Sequence, residues 1–438
     1  ERLGKWDMKK EFSEAQQVEI HTKDKQSFKG ILLPSLDPNI VMLKLSSGYN
    51  LGIDKKEIQQ LTKLGKLKIE RLMLKEHKHD AKLPTITILH TGGTVASQID
   101  YTTGAVSARF TPEELVVKFP ELQQHANIHS RLVSNMFSED MRFAHYNLLA
   151  KEIEKEIKKG VQGVIITHGT DTLHYTSAAL TFMLHHLPIP VVLVGSQRSS
   201  DRGSSDAFLN LTSAVFFATQ ADFAGVAICM HKDLNDELCT ILPGVNTRKN
   251  HTSRRDAFTC INAAPIAEVN YAKQHIQFLK QDHKKRNPDA RFHVRLLNEK
   301  LKVGIVYTHP QMHADEISKY NAYNGLIILG TGLGHLPVNH IDKTTAEHEK
   351  ILKELSKLAK KIPVVMTPQP LAGRINMQVY STGRRLLELG MIGNLCDTLP
   401  ETAFAKLAYL LSQKKSKEEI HQAMEKNLHG EIAKRSLP

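Results

Sequence analysis

Four stretches of this chain are apolar without alternation: TITILH from Thr85, GVIITHG from Gly163, IPVVLVG from Ile189 and GVAICM from Gly225. A strand with one wet face alternates apolar and polar side chains, so unbroken runs of this kind predict strands covered on both faces. The helical stretch His145–Gly160 lies between the first two and closes on Lys-Lys-Gly, a common helix ending. Strand, helix, strand is the order of a parallel α/β sheet. In such sheets ligands bind beyond the carboxyl ends of the strands. The loops that follow each run are therefore where chemistry should be sought.

Two further units flank this core. After the polar stretch Gln281–Arg291, the runs KVGIVYTH, NGLIILG and IPVVMT, with a helical pattern over Thr344–Lys361, predict a smaller α/β unit. Before the core, VEIHT, FKGILL, IVMLKL and YNLGI are short strands, with Ser46–Gly48 as a hairpin turn between two of them. Strands at that density predict a small β-barrel module. It holds no nucleophile constellation, so docking is its expected task. The reading is a barrel module over 1–75 with a linker to 83, an α/β domain over 84–285, and a smaller α/β domain with a helical tail over 300–438.

Composition narrows the class. No run of about 18 apolar residues occurs, so no transmembrane helix is expected. The stretch ERLGKWDMKKEF lacks the apolar segment of a secretory signal, and a cytoplasmic protein is expected. The four cysteines lie far apart with no C-x-x-C pair, and the 23 histidines include no H-E-x-x-H, so no metal site is expected. A net charge of +12 suits an acidic partner such as nucleic acid, and equally a solvated basic surface.

Four strand-end loops hold candidate chemistry. The first is HTGGT, where glycine permits positive φ and close ligand approach. Gly93 lies at this turn, Thr94 just past it stands where a nucleophile is needed, and Thr91 either orients or finishes the strand. The second is HGTDT, in which Thr170 and Asp171 either cap the following helix or hold a water or a lysine. The third is NMFSEDM, where Ser138 and Asp140 cap a helix, or Ser138 and Glu139 grip a small substrate. The fourth is TRKNHTSRRDAF, where Lys249 is either a solvated lysine or the base that a hydroxyl nucleophile requires.

Taken together, TGGT, HGTD, S-E-D and R-K-x-x-T-S follow the order found in the L-asparaginase/glutaminase family, and the resemblance runs from Pro84 to about Leu411. It implies a fold of two asparaginase-like α/β domains and amide hydrolysis through a threonine acyl-enzyme. Thr94 would be the nucleophile, with Thr170, Asp171 and Lys249 as a second catalytic group. Asp171 would also meet the substrate α-amino group, Ser138 and Glu139 would contact substrate, and Tyr101 would close over the site. Amides of the Gly92-Gly93 turn are candidates to stabilise the oxyanion, a placement worth about 3–4 kcal/mol per donor.

A narrower resemblance adds the β-module, HTSRRDAF (His251–Phe258) and VYSTGRRLLELGMI (Val379–Ile392). That combination is similar to the D-subunit family of archaeal-type glutamyl-tRNA(Gln) amidotransferases. It implies release of ammonia from glutamine or asparagine. It also implies a partner, the E subunit of the amidotransferase, that uses ATP and Mg to convert Glu-tRNA(Gln) to Gln-tRNA(Gln), while this chain carries no cofactor of its own. tRNA(Gln) would be held chiefly by the partner, and a homodimeric core would make the assembly a heterotetramer. One departure is Pro370, where the resemblance leads one to expect a smaller or thiol-bearing residue.

Two other classes compete: a stand-alone L-asparaginase with an accessory β-module, and an RNA-binding module on an inactive enzyme scaffold. The candidate catalytic residues are all present, which speaks against the latter. GTGLGHLP is not a dinucleotide loop, because His335 occupies the third glycine position and Leu336-Pro337 follow in place of a helix start.

Overall fold

The structure is a computed structural model that describes residues 16–35, 37–66, 79–93, 97–99, 106–108, 119–200 and 202–435. Thr94 and Tyr101 lie outside the described residues.

The first unit is a five-stranded antiparallel sheet. Its order is Asn50–Asp54, Ile40–Leu45, Ser27–Leu33, Gln16–Thr22, Ile58–Lys66. Val18, Ile20, Leu43, Ile53 and Ile58 form its buried cluster. The expected hairpin is present: the Gly48 amide donates to the Leu45 carbonyl, and Gly48 takes φ 85°, a conformation natural to glycine.

The central unit is an eight-stranded sheet. Five strands run parallel in the order Asn127–Met136, Thr85–Gly92, Gly163–Thr167, Pro190–Val194, Gly225–His231. The unbroken apolar runs become the buried strands of this set, as their pattern requires. Beyond Gly225–His231 the sheet turns antiparallel through Cys239–Pro243, Ala267–Asn270 and His275–Phe278. This mixed extension departs from a purely parallel reading. Its strands are only four or five residues long, so they carry no long apolar signal.

Helices cover both faces. The helices Phe143–Lys158 and Leu173–Met183 share one cluster with Leu89, Val164 and Leu193, while Ala207–Gln220 covers the other face with Ile88, Ile165 and Val192. Lys155 and Lys158 in the last turn of the first helix suit the negative end of its dipole.

The third unit is a three-stranded parallel sheet, Val303–Tyr307, Gly325–Gly330, Val364–Pro368. The helix Glu347–Lys361 buries Ile351, Leu355 and Leu358 in its core. The sequence pattern placed that helix from Thr344, but Lys343–Thr345 form a separate 3₁₀ turn capped by Asp342. The helix Pro400–Ser412 ties the two α/β units together, since Ala403, Leu407 and Leu410 share a core with Leu180 and Ile327. The turn after Gly325–Gly330 bridges Thr331 to His335 and opens no helix, as the reading of GTGLGHLP expected.

Candidate active site

The strand Thr85–Gly92 ends in a Gly-Gly turn because another backbone lies against it. Gly93 has φ 78°, and a Cβ there would lie 2.4 Å from the Gly169 amide nitrogen. A Cβ on Gly169 would in turn lie 2.8 Å from that of Ser138. Three strand-end loops, HTGG, HGTD and F-S-E-D, are thus stacked at backbone contact, which only glycine allows.

Thr91 does not face this stack as a free hydroxyl. It is buried and donates to the Thr167 carbonyl at 3.0 Å, joining two neighbouring strands. Beside it, buried His90 bonds Thr167 Oγ1 at 2.8 Å and Ser130 Oγ at 2.7 Å. Thr91 finishes the strand.

Thr170 and Asp171 do not cap the helix that follows. Its N-cap is Thr172, and the two preceding side chains turn toward Lys249 instead. Lys249 Nζ donates to Thr170 Oγ1 at 2.9 Å and pairs with Asp171 Oδ1 at 2.6 Å. The Lys249 side chain is only 9% exposed against 66% for Asp171, so the lysine is no solvated surface residue. It ends the strand Thr247–Lys249, whose partner Phe258–Cys260 fixes its direction. Arg248, next to it, pairs with Glu401 at 3.3 Å, and Thr402 Oγ1 donates to the Val245 carbonyl at 2.6 Å. The helix Pro400–Ser412 therefore braces the segment that carries Lys249.

Ser138 and Asp140 form a 3₁₀ turn of their own, and the long helix after them is capped by Arg142. Ser138 Oγ accepts from the Thr172 amide at 3.3 Å, and Thr172 Oγ1 donates to the Ser138 carbonyl at 2.5 Å. Accepting leaves the serine its own proton to give to a ligand.

Two buried histidines stiffen this wall. His168 Nδ1 lies 2.7 Å from the Gly169 carbonyl, which can only accept, so Nδ1 carries the proton and Nε2 accepts from Thr176 Oγ1 at 2.8 Å. Burial pushes the His168 pKa down to about 4. Burial, then Arg248 and Lys249, push that of His174 down to about 3. Both rings are neutral at pH 7.

These groups open on a cavity of about 360 Å³ whose lining includes Gly93, Ser138, Glu139, Gly169, Thr170 and Asp171. Thr91, Asp140 and Lys249 are not among its lining residues, and Lys249 touches Thr170 and Asp171, which are. Exposed Pro370 is not among the lining residues.

A fifth loop completes the wall and escaped the sequence reading. Gln197, Arg198, Ser199 and Arg202 line the cavity from the segment after Pro190–Val194. Thr170 Oγ1 donates to Gln197 Oε1 at 3.3 Å. Buried Asp206 shapes the loop, accepting from Ser196 Oγ at 2.9 Å, from the Arg198 amide at 3.0 Å and from the Gln197 amide. Gln197 Nε2, Ser199 Oγ and Arg202 Nε are buried without a hydrogen-bond partner among the described residues. Buried donors of this kind are costly unless a ligand engages them. The available signal was GSQRSSDRGSSD, a polar run directly after a buried strand.

Among the described residues no group of three or more His, Cys, Asp or Glu could hold a metal ion, and no helix is long and apolar enough to cross a membrane.

Comparison with known proteins bears on the whole chain. Residues 85–284 match the family described as "Asparaginase, N-terminal", and residues 302–424 the "Glutaminase/Asparaginase C-terminal domain". Residues 12–64 match the "GatD N-terminal domain". The D subunit of the glutamyl-tRNA(Gln) amidotransferase from Pyrococcus furiosus is 42% identical over 429 residues, covering 96% of this chain and 94% of that protein. The chain belongs to the glutamyl-tRNA(Gln) amidotransferase D-subunit family. Its counterpart from Methanosphaera stadtmanae is 43% identical over 423 residues, covering 94% of this chain and 92% of its own. The thermostable L-asparaginase of Thermococcus kodakarensis has a TM-score of 0.69 at 30% identity, covering 80% of this chain and 99% of that one. The D-subunit family thus carries an asparaginase-like body together with the β-rich module.

Proposed function

We propose that this chain releases ammonia from glutamine, or asparagine, through an acyl ester on Thr94, and that a partner protein uses the ammonia to convert Glu-tRNA(Gln) to Gln-tRNA(Gln). The observation that carries the hydrolytic half is Lys249 Nζ, held between Thr170 Oγ1 and Asp171 Oδ1 at the wall of the cavity that Gly93 also lines. A hydroxyl nucleophile needs a nearby base, and a largely buried lysine beside a hydroxyl supplies one in its neutral form.

In this reading Thr94 Oγ attacks the side-chain amide carbon and its proton passes to the Thr170–Lys249 group. The carbon–nitrogen bond breaks, and the nitrogen takes that proton from the Thr170–Lys249 group and leaves as ammonia. Water then cleaves the ester, giving the free acid and restoring Thr94. Asp171 holds Lys249 and offers its exposed oxygen to the substrate α-ammonium. Ser138 donates to the α-carboxylate, Glu139 meets the polar end of the substrate, and Tyr101 closes over it. The partner is the E subunit of the amidotransferase, where ATP and Mg act and where tRNA(Gln) is chiefly held. A homodimer of this chain forms the core of a heterotetramer.

The test is ammonia release from glutamine and asparagine by the full chain alone, with the partner, and with the partner plus Glu-tRNA(Gln). Slow hydrolysis alone that rises with both additions is expected. Rapid turnover indifferent to both would make the chain a stand-alone asparaginase with an accessory module. Retained hydrolysis in Thr94→Val would remove Thr94 as nucleophile.

A further inference from the structure

The β-rich module touches the cavity loop. The hairpin between Ile40–Leu45 and Asn50–Asp54 carries Ser47, Gly48 and Tyr49 at its tip. Tyr49 Oη donates to Ser204 Oγ at 2.5 Å, a bond that spans 155 residues of chain. A Cβ on neighbouring Gly203 would lie 3.9 Å from the Ser47 carbonyl, so the two turns are in van der Waals reach. Ser204 belongs to the same loop as Gln197, Ser199 and Arg202, which line the cavity and each bury a polar atom without a partner among the described residues.

The loop is fixed at its start by a buried carboxylate. Asp206 gathers Ser196, Gln197 and Arg198, and Ser205 Oγ donates to the Arg198 carbonyl at 2.9 Å. Near Arg202 the described backbone makes turn bonds, the Arg202 amide to the Ser199 carbonyl at 3.1 Å and the Ser205 amide to the Arg202 carbonyl at 3.0 Å. Tyr49 reaches this second half. The hairpin that bears it is itself stiff, since buried Lys44 donates across the turn to the Gly48 carbonyl and the Leu45 amide donates to the Tyr49 carbonyl at 2.8 Å.

We infer that the N-terminal module is a positioning element of the site: through Tyr49 it holds Ser204, and with it Arg202 two positions away, against the cavity. The inference rests on the amide-hydrolase reading only for its effect on activity. Its structural half stands independently of that reading.

Two readouts test it in the full chain. Amide deuterium exchange across residues 197–206 should rise several-fold in Tyr49→Phe, which removes one hydroxyl, while exchange in Ile40–Leu45 and Ser27–Leu33 stays as in the wild type. Unchanged loop exchange would overturn the positioning role whether or not any amide is hydrolysed. With the partner and Glu-tRNA(Gln) present, KM for the amide should rise about fivefold with kcat nearly constant, the effect of losing one ordinary hydrogen bond. Ser204→Ala should match it, and the double variant should add nothing to either single one. Fully additive effects would show that the two hydroxyls act separately and would overturn the inference. If the wild-type complex hydrolyses neither amide, the proposed activity fails and the exchange experiment still decides this point.

Discussion

Lys249 reaches Thr170 across 79 positions of chain, its Nζ 2.9 Å from the threonine hydroxyl. The contact joins a loop at the end of one parallel strand to a short hairpin strand outside the main sheet, and in the proposed reaction this pair handles the proton. Replacing Lys249 by Met should lower amide hydrolysis by about 10²–10⁴-fold, the usual loss on removing a positioned acid–base group. Stability should change little, because methionine keeps the apolar stem of the buried lysine and Asp171, left without its partner, is exposed to water. Lys249→Arg should not rescue the rate, since a guanidinium does not give up its proton. Ammonia release and a melting curve on each variant check all three points.

Gly93→Ala asks whether the stacked loops tolerate any side chain. The residue has φ 78°, and the new Cβ would lie 2.4 Å from the Gly169 nitrogen. The left-handed conformation alone costs an alanine about 1–2 kcal/mol, and the clash adds to it. The expected result is a stability loss of about 2 kcal/mol or more together with loss of hydrolysis. Denaturant midpoints would measure the first and ammonia release the second.

How much of this was legible follows from what each signal depends on. The strands Thr85–Gly92, Gly163–Thr167, Pro190–Val194 and Gly225–His231 are buried on both faces, so their composition announces them. The strands Cys239–Pro243 and Ala267–Asn270 are short and pair across an intervening segment that holds two other strands, and nothing local marks them as members of the same sheet. Thr170, Asp171 and Ser138 were visible as strand-end polar residues, but whether they cap helices depends on backbone geometry that only the fold supplies. Gln197, Ser199 and Arg202 were missed although the rule that found the other loops applied equally to theirs. Burial of His168 and His174 was not legible either, since a buried neutral ring leaves no mark in composition.

Those histidines predict acid sensitivity. The folded pKa of His168 is about 4, against an ordinary value of 6.5 in the unfolded chain. Between those values the unfolded state binds a proton that the folded state refuses, so stability is full above about pH 6.5 and falls as pH drops toward 4. One such group is worth about 3 kcal/mol at about 1.4 kcal/mol per pH unit. His174 at about 3, and His185 and His429 at about 4, act in the same direction. Denaturant midpoints between pH 7.5 and 4 should decline, and His168→Gln should flatten that slope even where its absolute stability is lower.

Asp206 separates loop order from fold. Its buried carboxylate is surrounded by donors: Ser196 Oγ, the Gln197 and Arg198 amides, and Asn210 Nδ2 at 3.0 Å. Asparagine fits the same space but must turn an NH₂ toward at least one of them, leaving a donor facing a donor at a cost of about 1–3 kcal/mol. The loop can relieve that conflict by moving outward, because its second half is held by turn bonds and by Tyr49 from the neighbouring module. Movement there displaces Gln197 from Thr170, and with it the hydroxyl that Lys249 addresses. Asp206→Asn should therefore raise KM for the amide about tenfold and lower kcat as well, with a melting temperature only a few degrees below the wild type. Tyr49→Phe, by contrast, should move KM alone. A variant that melts early but keeps wild-type KM and kcat would show that Asp206 serves the fold and not the site.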